Sequence, residues 1–141
     1  MQISDILRHK GPSVVTIAPT ASVTELLATL AEHNIGALVV THDDNVVGIV
    51  SERDVVRRLN DPGRQVLDGE VSNIMTSDVI SCRAGDSVDS VAEQMTESRI
   101  RHMPVIEQQR LVGIVTIGDV VLSRIRQLEA DRGQLEHYIT G

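Results

Sequence analysis

Two short runs hold the residues of this chain whose types and spacing could do chemistry. Ser51-x-x-Asp54 follows the apolar run Val46-Val47-Gly48-Ile49-Val50, and Thr116-x-x-Asp119 follows Leu111-Val112-Gly113-Ile114-Val115. In each, an apolar stretch passes through glycine to a hydroxyl residue, and an acid stands three places on, where an apolar helix begins. A hydroxyl and an acid at this spacing suit a capping box, each satisfying a backbone amide that the first turn leaves without a partner. The same groups suit a ribonucleotide. Free amides and the positive end of the helix dipole attract phosphate. The hydroxyl donates to a phosphate or ribose oxygen, and a carboxylate one turn in accepts both hydroxyls of a ribose diol. One such corner alone reads as a cap. Two of them, each with glycine three places before the hydroxyl, point to a pair of related sites.

A second constellation is Arg99-Ile100-Arg101-His102-Met103-Pro104-Val105, the densest basic patch in a chain of net charge −7. A guanidinium grips phosphate oxygens two at a time. The equivalent stretch upstream is Asn34-Ile35-Gly36-Ala37-Leu38-Val39-Val40, where the apolar scaffold is kept and the charge is absent. A solvated arginine pair is the plain alternative. The one-sided basic patch favours an anion site, with Gly36-Ala37 opposite leaving room for a base.

The elements that must position these residues come in two copies. A shift of 65 residues, from Gly48 to Gly113, aligns Val14 to Val56 with Val79 to Val121 without a gap. Two copies are too few for a solenoid and imply one compact domain with pseudo-two-fold symmetry. In the first copy Ser4 is placed to cap a short helix from Asp5 to His9, ended by Gly11-Pro12. Val14 to Ile17 is a strand. Ser22-Val23-Thr24-Glu25 opens a helix whose Leu26, Leu27, Leu30 and Ala31 follow the 3.6-residue period. Strands follow at Ile35 to Val40 and Val46 to Val50 around the turn His42-Asp43-Asp44-Asn45, then a helix from Ser51 to Leu59, broken at Asn60-Asp61-Pro62-Gly63. The second copy predicts a short helix at Val71 to Met75, a strand at Val79 to Cys82, a helix at Val88 to Ser98, strands at His102 to Ile106 and Leu111 to Val115, and a helix from Ile117. The predicted organisation is a first repeat over 1–62, a linker over 63–70, a second repeat over 71–123 and a helical extension over 124–141. Along the last helix, from the end of the second repeat into the extension, Val121, Leu122, Ile125, Leu128, Leu135 and Ile139 continue an apolar stripe. It either folds back on its own domain or packs against a second chain.

Composition narrows the function. A chain of 141 residues can bury a core as one domain. The acidic balance disfavours nucleic acid and anionic membrane, and Tyr138, the sole aromatic, offers no stacking platform for bases. No apolar run spans a bilayer, no signal pattern opens the chain, and the single Cys82 forms no internal disulfide, so a cytoplasmic location is expected. Cys82 is expected to be a buried structural thiol. His9, His33, His42 and His137 lack metal-ligand spacing, so no metal site is expected. Without a nucleophile–base pair or phosphate loop, the chain is not expected to be an enzyme.

The doubled Gly48-Ile49-Val50-Ser51-x-x-Asp54 and Gly113-Ile114-Val115-Thr116-x-x-Asp119, with the strand entries Ile35-Gly36-Ala37-Leu38-Val39-Val40 and Arg101-His102-Met103-Pro104-Val105, resemble a tandem pair of CBS domains, the module named after cystathionine β-synthase. The resemblance runs from about Ile3 to Leu122, and a stand-alone CBS pair, without an attached catalytic domain, is expected. It implies an α/β (α+β) fold of two βαββα repeats packed as a pseudo-two-fold pair, and adenosine-ligand binding (AMP, ADP, ATP or NAD) in clefts between them, with no obligatory cofactor. Carried over by position, one site would use Asp119 for the ribose hydroxyls, Thr116 for a phosphate or ribose oxygen, Ile114 for the base, and Arg101 and His102 for phosphate, completed by Thr16, Ile35, Gly36 and Ala37. The symmetric site would use Ile49, Ser51, Asp54, Ser81, Ile100 and Met103. The Asp119 site is expected to be the stronger, since Gly36-Ala37 stands where the other would need its basic pair. The expected role is regulatory, in a homodimer acting on an unidentified protein. The alternative is a dimeric interaction module indifferent to ligand.

Overall fold

The computed structural model of the chain describes residues 1–11, 13–60 and 65–140. The α-helices are α1 (Ile3–Lys10), α2 (Val23–His33), α3 (Glu52–Leu59), α4 (Val88–Ser98) and α5 (Ile117–Thr140). The strands are β1 (Thr16–Ile17), β2 (Ala37–His42), β3 (Asn45–Ser51), β4 (His102–Glu107) and β5 (Arg110–Thr116), with a 3₁₀ turn at Val71–Asn73. Together they form one five-stranded sheet in the order β1-β2-β3-β5-β4. Its halves are antiparallel hairpins, β2–β3 and β4–β5, joined edge to edge through the pair Asn45↔Arg110.

The duplication seen in the sequence survives in the backbone. Both hairpins shift register at the same place, between Val40 and Thr41 and between Val105 and Ile106. Both close on two residues at positive φ, Asp43-Asp44 and Gln108-Gln109. That is the twist two-residue hairpins favour. Ser22 and Ser87 cap α2 and α4 by accepting the Glu25 and Ser90 amides. Both helices end on a left-handed residue, Asn34 at φ 51 and Arg99 at φ 55.

Two expected features differ. Residues 79–82 form no strand beyond a single bridge, Cys82↔Val105. Pro104 stands where the first copy has Val39, the partner of Thr16 in β1. Proline has no amide to give the ladder, so the parallel pairing shrinks to a point. At the chain start, Gln2 rather than Ser4 precedes α1, and its amide donates to Asp5 Oδ2 at 2.9 Å. Pro12 and the break from Asp61 to Gly63 lie outside the described residues.

Each repeat is completed by the segment preceding the other. The first core gathers Ile17, Val23, Leu26, Leu30, Leu38, Val40, Val50 and Val55, and takes Val66 from the linker and Val71 and Ile74 from the start of the second repeat. The second gathers Val88, Val91, Met95, Met103, Val105, Val115 and Val120, and takes Ile3 and Ile6 from α1. The two repeated glycines admit these visitors. A methyl at Gly48 would lie 2.6 Å from Met75 Sδ, and one at Gly113 would lie 2.5 Å from a Leu7 methyl. Among the described residues, those from Arg124 onward on α5 are exposed. The tail therefore does not fold back on its own domain: its helix is about 36 Å long, and Leu128, Leu135, Tyr138 and Ile139 stand in solvent.

Candidate functional site

At both corners the hydroxyl and the acid form the expected cap. Ser51 N–H donates to Asp54 Oδ2 at 2.8 Å and Ser51 Oγ to the same oxygen at 3.1 Å. Thr116 N–H donates to Asp119 Oδ2 at 2.9 Å, and Thr116 Oγ1 accepts from the Asp119 amide at 3.1 Å. Capping and ligand binding are compatible here, because these bonds fall on one carboxylate oxygen of each acid.

The surroundings of the two corners differ. Beside Asp54 lies a cavity of about 550 Å³ lined by Ile49, Ser51 and Asp54 of the first repeat and Ile100, Arg101 and His102 of the second, with Gly36 and Ala37 in the wall. Arg53, Arg57 and Arg99 also line it, so four arginines face the three carboxylates Glu52, Asp54 and Asp78. Beside Thr116 lies a smaller and more apolar cavity of about 350 Å³, lined by Ile35, Gly36, Ala37, His102, Ile114 and Thr116, with Leu7, Val14 and Val15. Asp119 is not in its lining. Its Oδ2 takes the Lys10 ammonium at 2.7 Å, and the same ammonium donates to the Ile114 carbonyl at 2.8 Å.

Several expected positions therefore move. Arg101 lines the cavity at Asp54, not the one at Thr116, because the basic strand entry of one repeat faces the corner of the other. Thr16 is exposed on β1, in neither lining. Ser81 is exposed and also outside both. Met103 is wholly buried in the second core, since β4 turns His102 to the cavities and the next side chain inward. His102, Gly36 and Ala37 line both cavities and form the wall common to them. Burial chiefly, with Lys10 and Arg101 nearby, holds the His102 imidazole below its ordinary pKa, against the pull of Glu52 and Asp119.

Lys10 had no signal in the sequence, being 109 positions from Asp119. Arg53 and Arg57 had one: they are spaced one turn apart on α3, directly after the corner. Burial and the nearby Asp86 and Glu107 push the Cys82 thiol up to about 12, so it stays protonated and unreactive. Among the described residues no three His, Cys, Asp or Glu side chains are grouped to hold a metal ion, and no helix is long and apolar enough to cross a membrane.

The profile of the CBS domain matches the chain twice, over residues 3–61 and 71–125. The mitochondrial CBS domain-containing protein CBSX3 of Arabidopsis thaliana is 32% identical over 148 residues, covering 99% of this chain and 72% of its own. The crystal structure of the CBS-domain containing protein ATU1752 from Agrobacterium tumefaciens is 44% identical and superposes with a TM-score of 0.83, covering 88% of this chain and 99% of that one. The CBS domain pair of protein MJ0100, solved in complex with 5′-methylthioadenosine and S-adenosyl-L-methionine, is 29% identical with a TM-score of 0.78, covering 92% of this chain and 98% of that one.

Proposed function

The chain belongs to the CBS domain family, as a pair of repeats in one sheet, and from this premise we propose that it is a regulatory sensor of an adenosine ligand, held in the cleft at Asp54. One observation carries the reading: the cavity of about 550 Å³ is built from both repeats and is lined by a ribose-type acid, Asp54, together with four arginines, Arg99 and Arg101 among them from the second repeat. Asp54 takes the ribose hydroxyls, Ser51 a ribose or phosphate oxygen, Ile49 and Ile100 the base, and Arg99 and Arg101 the phosphates. The structure of MJ0100 with two adenosine-containing molecules supports this ligand class. The arginines favour anionic members: AMP, ADP, ATP or NAD. This choice reverses the order expected from sequence, because Arg101 faces Asp54 while Lys10 engages Asp119. Since the cleft joins the repeats, a ligand shifts their relative arrangement by binding one arrangement more tightly than another, and so regulates a partner protein.

Melting the protein with AMP, ADP, ATP, NAD and S-adenosyl-L-methionine tests the reading. A ligand at a hundred times its Kd stabilises by about 2.7 kcal/mol, an upward shift of several degrees. A flat response to all five overturns it.

The exposed apolar face of α5 supports a second element, a homodimer. Val121, Leu122, Ile125 and Leu128 are each at least 45% exposed, as are Val56 and Leu59 on the equivalent helix α3. Removing the chain after Arg124 and measuring mass in solution checks the tail's share: loss of the dimer with ligand binding kept separates assembly from sensing. The same tail leaves room for a ligand-indifferent interaction module, which predicts partner binding unchanged by any nucleotide. In either case the reduced Cys82 and the acidic charge fit a cytoplasmic protein that meets neither nucleic acid nor membrane.

A further inference from the structure

Lys10 is the only lysine in the chain; the other twelve of its thirteen Lys and Arg residues are arginine. It closes α1 and carries its ammonium across to the second repeat, where Asp119 Oδ2 and the Ile114 carbonyl receive it at 2.7 and 2.8 Å. Both side chains are mostly covered, one third and one fifth exposed. Two acceptors of different kinds on one ammonium make a seat rather than a passing surface pair. Asp54, the equivalent acid, holds no cation among the described residues; its oxygen takes the Ser51 hydroxyl instead.

We propose that Lys10 is a tethered cation that guards the Asp119 corner against a ribose, so that the chain presents one open adenosine site, at Asp54, and one occupied by its own first helix. The ammonium sits on Asp119 Oδ2, which the Thr116 amide also takes, and leaves Oδ1 open among the described residues. What a diol must displace is the positive charge and bulk of the ammonium beside the carboxylate, not a carboxylate with both oxygens taken. A compact ammonium on a flexible stem fits this seat; a planar guanidinium does not present its donors to a carboxylate and a single carbonyl in the same way. The inference rests on the corner acids being ribose acceptors, as proposed above.

Two measurements test it. Lys10 is the only ε-amine, so its acetylation by an amine-reactive ester is told apart from that of the Met1 α-amine by mass spectrometry of the fragments. The seat predicts slow acetylation in the native protein and acetylation at least about fivefold faster in Asp119→Asn, which retains an acceptor for the Thr116 amide; equal rates overturn it. The second is calorimetric titration with AMP and with S-adenosyl-L-methionine. The native chain is expected to show one site, lost in Asp54→Asn. Lys10→Met is expected to tighten a second site about tenfold or more, and Lys10→Met/Asp54→Asn to keep that site alone. Lys10→Gln, with melting curves for each variant, separates these effects from misfolding. Two equal sites in the native chain, or a second site absent or weakened in Lys10→Met, overturn the guard, the last result making Lys10 a phosphate ligand. No heat from either ligand in any variant overturns the adenosine reading itself, and with it the guard.

Discussion

The Asp54 and Asp119 corners share nearly every local feature: strand, glycine, hydroxyl, acid, helix, and the hydrogen bond that the Ser51 or Thr116 backbone N–H donates to the acid. They differ in the hydroxyl, which donates to the acid at Ser51 and accepts from its amide at Thr116, and above all in what the rest of the chain brings to them. Arginines from α3 and from the loop before β4 arrive at Asp54; Lys10 of α1 and the apolar side chains of Leu7, Val14 and Val15 arrive at the other corner. A duplicated motif therefore fixes the backbone of a site but not its electrostatics. Those depend on long-range packing that the repeat does not copy.

The largest expected effect that sharpens this contrast comes from removing one charged side chain at a time. Asp54→Ala is expected to weaken binding of an anionic adenosine ligand by about thirtyfold or more, the usual cost of truncating one partner of a covered charged contact, and Arg101→Ala, which removes an exposed guanidinium, by less. Asp119→Ala is expected to leave the first binding event unchanged. Isothermal titration reads all three, and a larger loss in Asp119→Ala than in Asp54→Ala would invert the comparison.

Next in size is the response of the two glycines. Gly48→Ala is expected to destabilise by about 1–3 kcal/mol in urea unfolding. Its methyl meets Met75 and, at 3.0 Å, the carbonyl of Thr76, which cannot swing away because it holds the Ile49 amide. For Gly113→Ala the three atoms nearest the new methyl all belong to the Leu7 side chain, which can turn aside, and the change should cost less. Equal costs would show that the two visiting segments are held alike.

Arg99 offers a smaller test. It sits in a left-handed conformation that suits Asn34 in the first copy and strains a long side chain. Arg99→Gly is expected to raise stability by about 1 kcal/mol while weakening anionic ligands several-fold. A gain in stability with no loss of binding would remove Arg99 from the site.

The smallest effect concerns pH. His102 resists protonation in the folded chain, while the unfolded chain takes the proton near pH ~6.5. Its contribution is complete above that value and is lost as pH falls through the lower folded value. Melting temperatures from pH 7.5 to 5 should therefore fall less steeply in His102→Gln than in the native chain, and identical slopes would place the imidazole in open water.

The elements legible in the sequence were those whose causes are local. The Ser22 and Ser87 caps, the helix from Val88 to Ser98 and the turn at Asp43-Asp44 follow from residues within a few places of each other. The missing strand before Cys82 turned on Pro104, legible in principle, since a proline facing the neighbouring strand removes an amide from the ladder. At the site, Ser51, Asp54, Ile49 and Ile100 meet as alignment suggested. The placement of Arg101 could not be read that way, because it depends on which repeat's corner each strand entry faces. Lys10 was invisible for the same reason: its partner lies at the far end of the chain.

The exchange of segments also sets an order on synthesis. Ile3 and Ile6 leave the ribosome on the order of ten seconds before Val115 and Val120, at ordinary elongation rates. Until those residues emerge, the helix they belong to has no core to join. The first repeat, by contrast, lacks only Val66 to Ile74, which follow it directly. The nascent chain should therefore complete its first half while its opening helix is still unplaced, and seat that helix, with Lys10 at its end, as the closing step of folding.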